Sequence, residues 1–201
     1  MLGIAGCSKP PADAPVPQLP LATAAEIAEA RRQRDDAFKN ASDSPLPDQA
    51  KAAFTGLAYF PFNPNLQFKV KLTRLPDPEP LRLITTDGVE RPAVRLGQVH
   101  FPWQGTERQL TVYQLRDQST EYWTNLFLPF KDATSGRETY GAGRYLDLGE
   151  GENDWFVLDF NLAYHPACAY GGTGFECPVT PEENRLPFPV EAGERLGSAS
   201  H

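Results

Sequence analysis

The segment QFKVKLT, residues 67–73, alternates polar and apolar side chains one by one. Successive side chains of a β-strand point to opposite faces of the sheet, so this period of two predicts a strand with one face in the core and one in water. Further along, the dipeptide Asp87-Gly88 separates the runs 81–86 and 89–96. Asp-Gly is a favoured hairpin turn because both positions tolerate positive φ. Together the two signals predict an antiparallel sheet.

More strand-like runs follow toward the C-terminus. A second hairpin is predicted around Gln104-Gly105-Thr106, because apolar residues recur on both sides of this turn. The predicted strands after the first hairpin are 98–103, 109–115, 122–130, 145–148 and 155–161. Many short strands separated by turn residues indicate a mainly β fold, an antiparallel β-sandwich or barrel of about seven to nine strands.

One or two helices are predicted before the sheet. Thr23 and Glu26 have the spacing of a capping box, in which each side chain bonds a free amide at the start of a helix. The helix is expected to continue to about Asn40. A shorter helix is expected over 47–53, because Pro47 suits a first turn and Gly56 follows its end.

Composition excludes several classes of protein. The chain has 201 residues, enough for one domain of ordinary size. Its 20 prolines and 16 glycines argue against a long helical bundle. With 19 basic and 26 acidic side chains the net charge is −7, which argues against a nucleic-acid partner, since phosphate binding needs a basic face.

The N-terminus resembles a bacterial lipoprotein signal. The run IAGC ends at Cys7, in the pattern in which cysteine is acylated and becomes the mature N-terminus. A proline-rich tether continues to residue 20, followed by a single domain over 21–195 and a disordered tail over 196–201. The pattern predicts an envelope protein attached to the membrane only through Cys7. The alternative is a cytoplasmic protein with a disordered N-terminus.

Candidate site residues are concentrated in the C-terminal half, where polar side chains border aromatic strands. Alternation over 155–161 places Asp159 and Asn161 on the face opposite the core. A hairpin of 145–148 with 155–161 would bring Arg144 close to Asp159 or Asn161. The cluster is interpreted either as a ligand pocket or as a buried structural ion pair. The candidate ligand-binding residues are Lys131, Asp132, Ser135, Glu138, Tyr140, Arg144, Asp159 and Asn161.

Two other patterns suggest chemistry and have simpler explanations. The run from Thr134 to Gly136 lacks the G-x-S-x-G elbow of hydrolases, so Ser135 is expected to bond backbone in a turn. The run GAGR, ending at Arg144, could hold an anion in its backbone amides, or it could be a tight turn that needs glycine. No catalytic residue is assigned.

The cysteines after Cys7 form a natural pair. His165, Cys168 and Cys177 could ligate zinc, but their spacing fits no standard zinc ribbon and no fourth ligand is evident. A glycine-rich loop of eight residues can instead bring the two cysteines within disulfide distance. A disulfide is therefore predicted between Cys168 and Cys177, and no metal or cofactor is predicted.

Long motifs in this chain closely resemble the bacterial and archaeal family DUF1684, a domain of unknown function. The matching stretches are SPL at 44–46, GLAYFP at 56–61, FLPFKDATSGRETYGAGRYL at 127–146, LDFNLAYHPACAY at 158–170, FECP at 175–178, PEENRLP at 181–187 and AGE at 192–194. The resemblance covers roughly residues 25–195. It implies a single domain without an established activity, and it supplies no catalytic residues.

Three hypotheses for function follow. The first is a binding module for a small polar or amphipathic ligand in the cell envelope. The second is an enzyme of hydrolase type that uses the Asp/Glu/Arg cluster for general acid–base chemistry. The third is a structural or partner-docking lipoprotein. A concave pocket that gathers the candidate residues would favour the first.

Overall fold

The computed structural model describes residues 16–115, 126–149, 151–172, 174–197 and 200. Cys7 and the start of the strand predicted over 122–130 lie outside these residues. The helices are α1 (Ala24–Asn40) and α2 (Asp48–Lys51), and four short 3₁₀ helices lie at Pro64–Leu66, Phe160–Leu162, Ala167–Tyr170 and Glu182–Asn184. The strands are β1 (Ala58–Tyr59), β2 (Gln67–Ile84), β3 (Glu90–Trp103), β4 (Thr106–Leu115), β5 (Leu126–Phe130), β6 (Arg144–Leu148), β7 (Trp155–Asp159) and β8 (Glu194–Arg195).

Six of these strands form one antiparallel sheet. Their order is β6-β5-β4-β3-β2-β7, and the sheet curls into a half-barrel with β6 and β7 as its edges. Strands β1 and β8 make a separate two-stranded sheet. The mainly β antiparallel fold predicted from the sequence is confirmed, and so are the two N-terminal helices.

The first hairpin forms where the sequence predicts it. Lys69 and Lys71 are exposed while Val70 and Leu72 are buried, and the Thr85 amide donates to the Val89 carbonyl (2.8 Å) to close the turn. The strands are longer than predicted. Both β2 and β3 continue through a β-bulge, at 74–79 and 95–97, so runs that look separate in the sequence belong to one strand.

The main apolar cluster lies on the concave face of the sheet, and two smaller, separate clusters of buried apolar residues complete the core. In β7 the buried Phe156 and Leu158 face this core, with Phe160 just beyond the strand, as the alternation predicts. The concave core also contains Leu66, Val70, Leu72, Val99, Phe101, Leu110, Val112, Leu128, Phe130, Leu146, Leu148, Leu186 and Val190. The core therefore consists mainly of side chains two residues apart on neighbouring strands.

Helix α1 packs across the outside of the domain. The predicted capping box is present, with the Thr23 hydroxyl and the Glu26 carboxylate each bonding the other residue's backbone amide. Only Ile27 and Phe38 of this helix are buried, so its apolar stripe is thin. Polar contacts complete the docking: for example, the Arg31 guanidinium donates to the Phe60 carbonyl (3.0 Å).

The predicted pairing of β6 with β7 is wrong. Strand β7 pairs with β2 over five residues, Gln67–Lys71 of β2, which places its aromatic face in the core. The outer edge of β6 is taken at Tyr145, which exchanges two backbone hydrogen bonds with Tyr164 (2.8 and 3.0 Å). Between the strands, Asn153 and Asp154 adopt positive φ in a tight turn that leads into β7. The two strands therefore pair with other partners, and a seam stays open between them.

The predicted disulfide between Cys168 and Cys177 is present, with Cα atoms 6.2 Å apart. It closes the loop that follows the 3₁₀ helix Ala167–Tyr170, whose Tyr170 packs against Phe38 of α1. Both sulfur atoms are engaged in this bond, so the alternative zinc site does not form here. Among the helices that the structure describes, none has the length and apolar character needed to span a bilayer.

Candidate functional site

Arg144 is completely surrounded by acceptors. It is 1% exposed, and its Nη2 donates to Asp132 Oδ2 (2.9 Å) and to the Val190 carbonyl (2.7 Å). Its Nη1 donates to the carbonyls of Ala192 and Glu194. Burial lowers the pKa of Arg144, and the charge of Asp132 opposes that effect. The Arg144 guanidinium therefore links Asp132 to the backbone of the C-terminal segment 190–194 through hydrogen bonds.

Asp132 is equally occupied. Besides Arg144, its Oδ2 accepts the Val190 amide (2.8 Å), while Oδ1 accepts the amide and hydroxyl of Thr134 (3.0 and 2.6 Å). Ser135 bonds the Asp132 amide in a turn, as predicted (3.1 Å). This buried pair has its hydrogen bonds satisfied by the protein itself, which favours the structural interpretation of these residues.

The glycine loop before Arg144 is a tight turn. The Gly143 amide donates to the Tyr140 carbonyl (3.0 Å), and Gly143 adopts φ 109°. A Cβ at this position would lie 2.2 Å from Thr180 Oγ1 and 2.7 Å from the Phe130 carbonyl oxygen. Position 143 therefore requires glycine, because a side chain would collide with its neighbours and because φ is positive there. The tight turn explains this glycine without a bound anion.

A second buried polar cluster lies under α1 and was not predicted from the sequence. Glu194 Oε1 accepts from Arg34 Nε, and Oε2 accepts the His165 amide (2.7 Å) and the Tyr170 hydroxyl (2.5 Å). The Tyr140 amide donates to His165 Nε2 (3.3 Å), which assigns the imidazole proton to Nδ1, 3.9 Å from Glu194 Oε2. No local pattern reveals Glu194, because its partner Arg34 is 160 residues away.

Two predicted site residues lie apart from both clusters. Glu138 is exposed, and its backbone bonds Thr134 and Leu196. Lys131 is partly buried and joins Asn184 and Leu186 through backbone hydrogen bonds (3.0 and 2.7 Å). Neither side chain converges with Arg144.

Asp159 and Asn161 form a third group. Asp159 Oδ2 accepts from Gln67 Nε2 (2.7 Å), and Oδ1 accepts the amide and the side-chain nitrogen of Asn161 (2.9 and 2.8 Å). The predicted pairing of Arg144 with Asp159 is wrong, because the hairpin it assumed does not form. Asp159 instead lies at the edge of the sheet, on the open seam.

The seam between β6 and β7 holds a cavity of about 350 Å³, roofed by residues 19–22. An adjoining cavity of about 320 Å³ lies between this segment and the start of α1, and the two share Pro20, Ala22 and Leu162. We call them together the seam groove. Its lining residues are Leu19, Pro20, Leu21, Ala22, Glu26, Ile27, Ala30, Leu146, Asp147, Leu148, Gly149, Val157, Asp159 and Leu162.

The seam groove combines exposed apolar side chains with a carboxylate. Leu162 is 46% and Leu21 43% exposed, although both are large hydrophobic residues. Asp147 Oδ2 accepts from the Tyr164 hydroxyl (2.7 Å). Loss of hydration raises the pKa of Asp147, while this hydrogen bond and the charge of Arg34 oppose the increase. Apolar walls with a few polar groups are typical of small-ligand sites.

Most of the groove was not predicted. Alternation over 145–148 does place Asp147 opposite the buried Leu146 and Leu148, so its exposure was readable from the sequence. Residues 19–22, which form the roof, include the boundary predicted between the tether, which ends at residue 20, and the domain, which begins at residue 21. Among the eight predicted residues, only Asp159 lines the groove. The described residues contain no group of three His, Cys, Asp or Glu side chains arranged to hold a metal ion.

Comparisons with known proteins agree with the motifs. The model of the family described as "Protein of unknown function (DUF1684)" matches residues 52–195. The solution NMR structure of an uncharacterized protein from gene locus rrnAC0354 of Haloarcula marismortui is similar, with 34% identity and a TM-score of 0.64. That similarity covers 86% of this chain and 93% of the other. No curated protein matches.

Proposed function

This chain belongs to the DUF1684 family of proteins of unknown function, and we propose that it is a small-ligand-binding module whose site is the seam groove. The observation that carries the proposal is the pair of adjoining cavities at the open edge of the half-barrel, about 350 and 320 Å³. Each is within the range of cavities that take small organic ligands, about 300–1,000 Å³.

The chemistry of the lining supports an amphipathic ligand. Leu19, Leu21, Ile27 and Leu162 offer apolar surface, while Asp147 presents a carboxylate at the β6 edge. Contiguous exposed apolar surface in a folded domain commonly marks a binding site, because its burial by a ligand is favourable.

The hypothesis of an acid–base enzyme has less support from these residues. Asp132 and Arg144, the strongest candidates for such chemistry, are buried and bond each other and the backbone. A general acid or base must reach its substrate at hydrogen-bond distance. We therefore assign these two residues to stability and the seam groove to binding.

The proposal is tested with Leu162→Gln and the neutral fluorescent probe N-phenyl-1-naphthylamine. We expect the wild-type protein to enhance the fluorescence of the probe with saturation, and Leu162→Gln to weaken its binding about tenfold, because an apolar wall shared by both cavities is lost. The matched control is Val89→Gln, since Val89 is 44% exposed at the first hairpin turn, outside the groove. Equal binding by the two variants would contradict the proposed site.

We further propose that the domain is held at the bacterial cell envelope by a lipid on Cys7, a proposal supported by the IAGC run and the proline-rich segment after it. In its native host the wild-type protein is expected in the membrane fraction and Cys7→Ser in the soluble fraction, with Ser8→Ala as the neighbouring control. Mass spectrometry of the N-terminal peptide checks the modification. An unmodified Cys7 in a soluble wild-type protein would end this proposal.

A further inference from the structure

We propose that the ligand of the seam groove is a primary amine on an apolar body, an inference that rests on the proposed function. The charges of the lining residues support a ligand that is a cation. Three carboxylates line the groove, from Glu26, Asp147 and Asp159, and its described lining contains no Lys, Arg or His. A ligand buried there meets negative charge and apolar surface together.

The three carboxylates are not equivalent. Glu26 uses Oε2 in the capping box with Thr23 on the exposed first turn of α1, and both Asp159 oxygens accept hydrogen bonds, from Gln67 and Asn161. Asp147 Oδ2 accepts only the Tyr164 hydroxyl, and Oδ1 accepts no hydrogen bond from the residues that the structure describes. Of the two carboxylates that line the cavity between β6 and β7, Asp147 is therefore the one with an acceptor left to offer.

The nearby arginines form no ion pair with the carboxylates of the groove among the described residues. The Arg34 guanidinium bonds Glu194 and the His165 carbonyl. Arg31 bonds the Phe60 carbonyl through Nη1 and stacks on the Tyr59 ring, while its Nε and Nη2 have no hydrogen-bond partner in the described part of the chain. Their charges act on Asp147 and Asp159 from a distance, without a direct ion pair. A ligand ammonium would give Asp147 a direct partner, and charge-assisted hydrogen bonds are among the stronger contacts a ligand can make.

The lining also distinguishes among classes of ligand. An anionic amphiphile, such as a fatty acid, would bring its carboxylate against Asp147, and like charges at short range repel. A quaternary ammonium group is recognised by aromatic side chains that surround it, and no aromatic residue lines either cavity in the described part of the chain. A primary ammonium group has the N–H donors that Asp147 Oδ1 can accept, with its apolar body against Leu21, Ile27 and Leu162.

Isothermal titration calorimetry with three eight-carbon probes tests the inference. The probes are octylamine, 1-octanol and octanoate, which share the alkyl chain and differ in head group. At pH 7 the full-length protein is expected to bind octylamine at least tenfold more tightly than 1-octanol, and octanoate more weakly than either. Asp147→Asn should reduce octylamine binding to the level of 1-octanol and leave 1-octanol unchanged. Its amide oxygen can still accept from Tyr164, so the variant is expected to fold.

The control for charge is Asp43→Asn, which removes the same charge from an exposed loop outside the groove and should leave octylamine binding unchanged. Equal binding of the three probes, or octylamine binding that survives Asp147→Asn, would overturn the amine while leaving the groove as a binding site. Failure of all three probes and of N-phenyl-1-naphthylamine would overturn the proposed function itself.

Discussion

Asp132→Asn is expected to destabilise the folded protein by about 3–5 kcal/mol, because it leaves the Arg144 guanidinium as an uncompensated charge in the interior. Both side chains are essentially without solvent contact, so water cannot replace the missing partner. The free energy of unfolding from urea denaturation measures the effect, since a shift in midpoint at constant slope reports stability.

Arg144→Lys keeps the charge and is expected to be similarly destabilising. The guanidinium divides four hydrogen bonds between Asp132 and three carbonyls of the segment 190–194. A lysine ammonium is a compact point charge and cannot span these acceptors in one geometry. The control is Asp36→Asn, which breaks the exposed pair with Arg32 and should change stability by under about 1 kcal/mol.

If Asp132→Asn stays within about 1 kcal/mol of the wild type, the pair is not the structural centre that its burial indicates. A folded Arg144→Lys variant that also loses binding of N-phenyl-1-naphthylamine would count further against the assignment. That result would instead favour the alternative from the sequence analysis, in which Asp132 and Arg144 belong to a ligand pocket.

The predictions that succeeded rest on local physics. A period of two over 67–73, Asp87-Gly88 and the Thr23–Glu26 capping box each act within a few residues, and each is present in the fold. The cysteine pair was also predictable, because a loop of only eight residues limits how far Cys168 and Cys177 can separate. Local signals therefore defined the elements and the fold class.

The predictions that failed concern which elements meet. The short link between β6 and β7 suggested a hairpin, yet β7 pairs with β2, nearly ninety residues earlier in the chain. This choice depends on burying Phe156 and Leu158 against the concave core, and no local pattern encodes it. The partner of Arg144 was misassigned for the same reason. The seam groove was missed because its roof, at 19–22, and its walls are distant in sequence.

Acid is expected to destabilise this protein through His165. The imidazole is buried, and desolvation together with the positive charges of Arg144 and Arg34 lowers its pKa from 6.5 to about 3. Between these values the unfolded chain binds a proton on His165 that the folded chain does not bind. Stability is therefore complete above pH 6.5 and is lost as the pH falls toward 3.

The size of this effect follows from the pH interval. The slope approaches about 1.4 kcal/mol per pH unit below pH 6.5, so His165 alone is expected to remove about 2 kcal/mol between pH 6.5 and pH 4.5. The free energy of unfolding in urea at several pH values measures the slope. His165→Gln should flatten it over this range, since glutamine does not titrate and its side-chain oxygen can accept the Tyr140 amide in place of Nε2.

His100→Gln is the matched control, because the His100 side chain is 37% exposed and lies outside the buried cluster. This variant should keep the slope of the wild type, which separates burial from the mere presence of an imidazole. Parallel slopes for the wild type and His165→Gln would contradict the assignment and would place acid sensitivity on the carboxylates instead.

Because Glu194 lies beside His165 and holds Arg34, acid unfolding that begins at His165 should release α1 first. Hydrogen exchange at pH 5 would then show earlier loss of protection in Ala24–Asn40 than in the central strands β3 and β4.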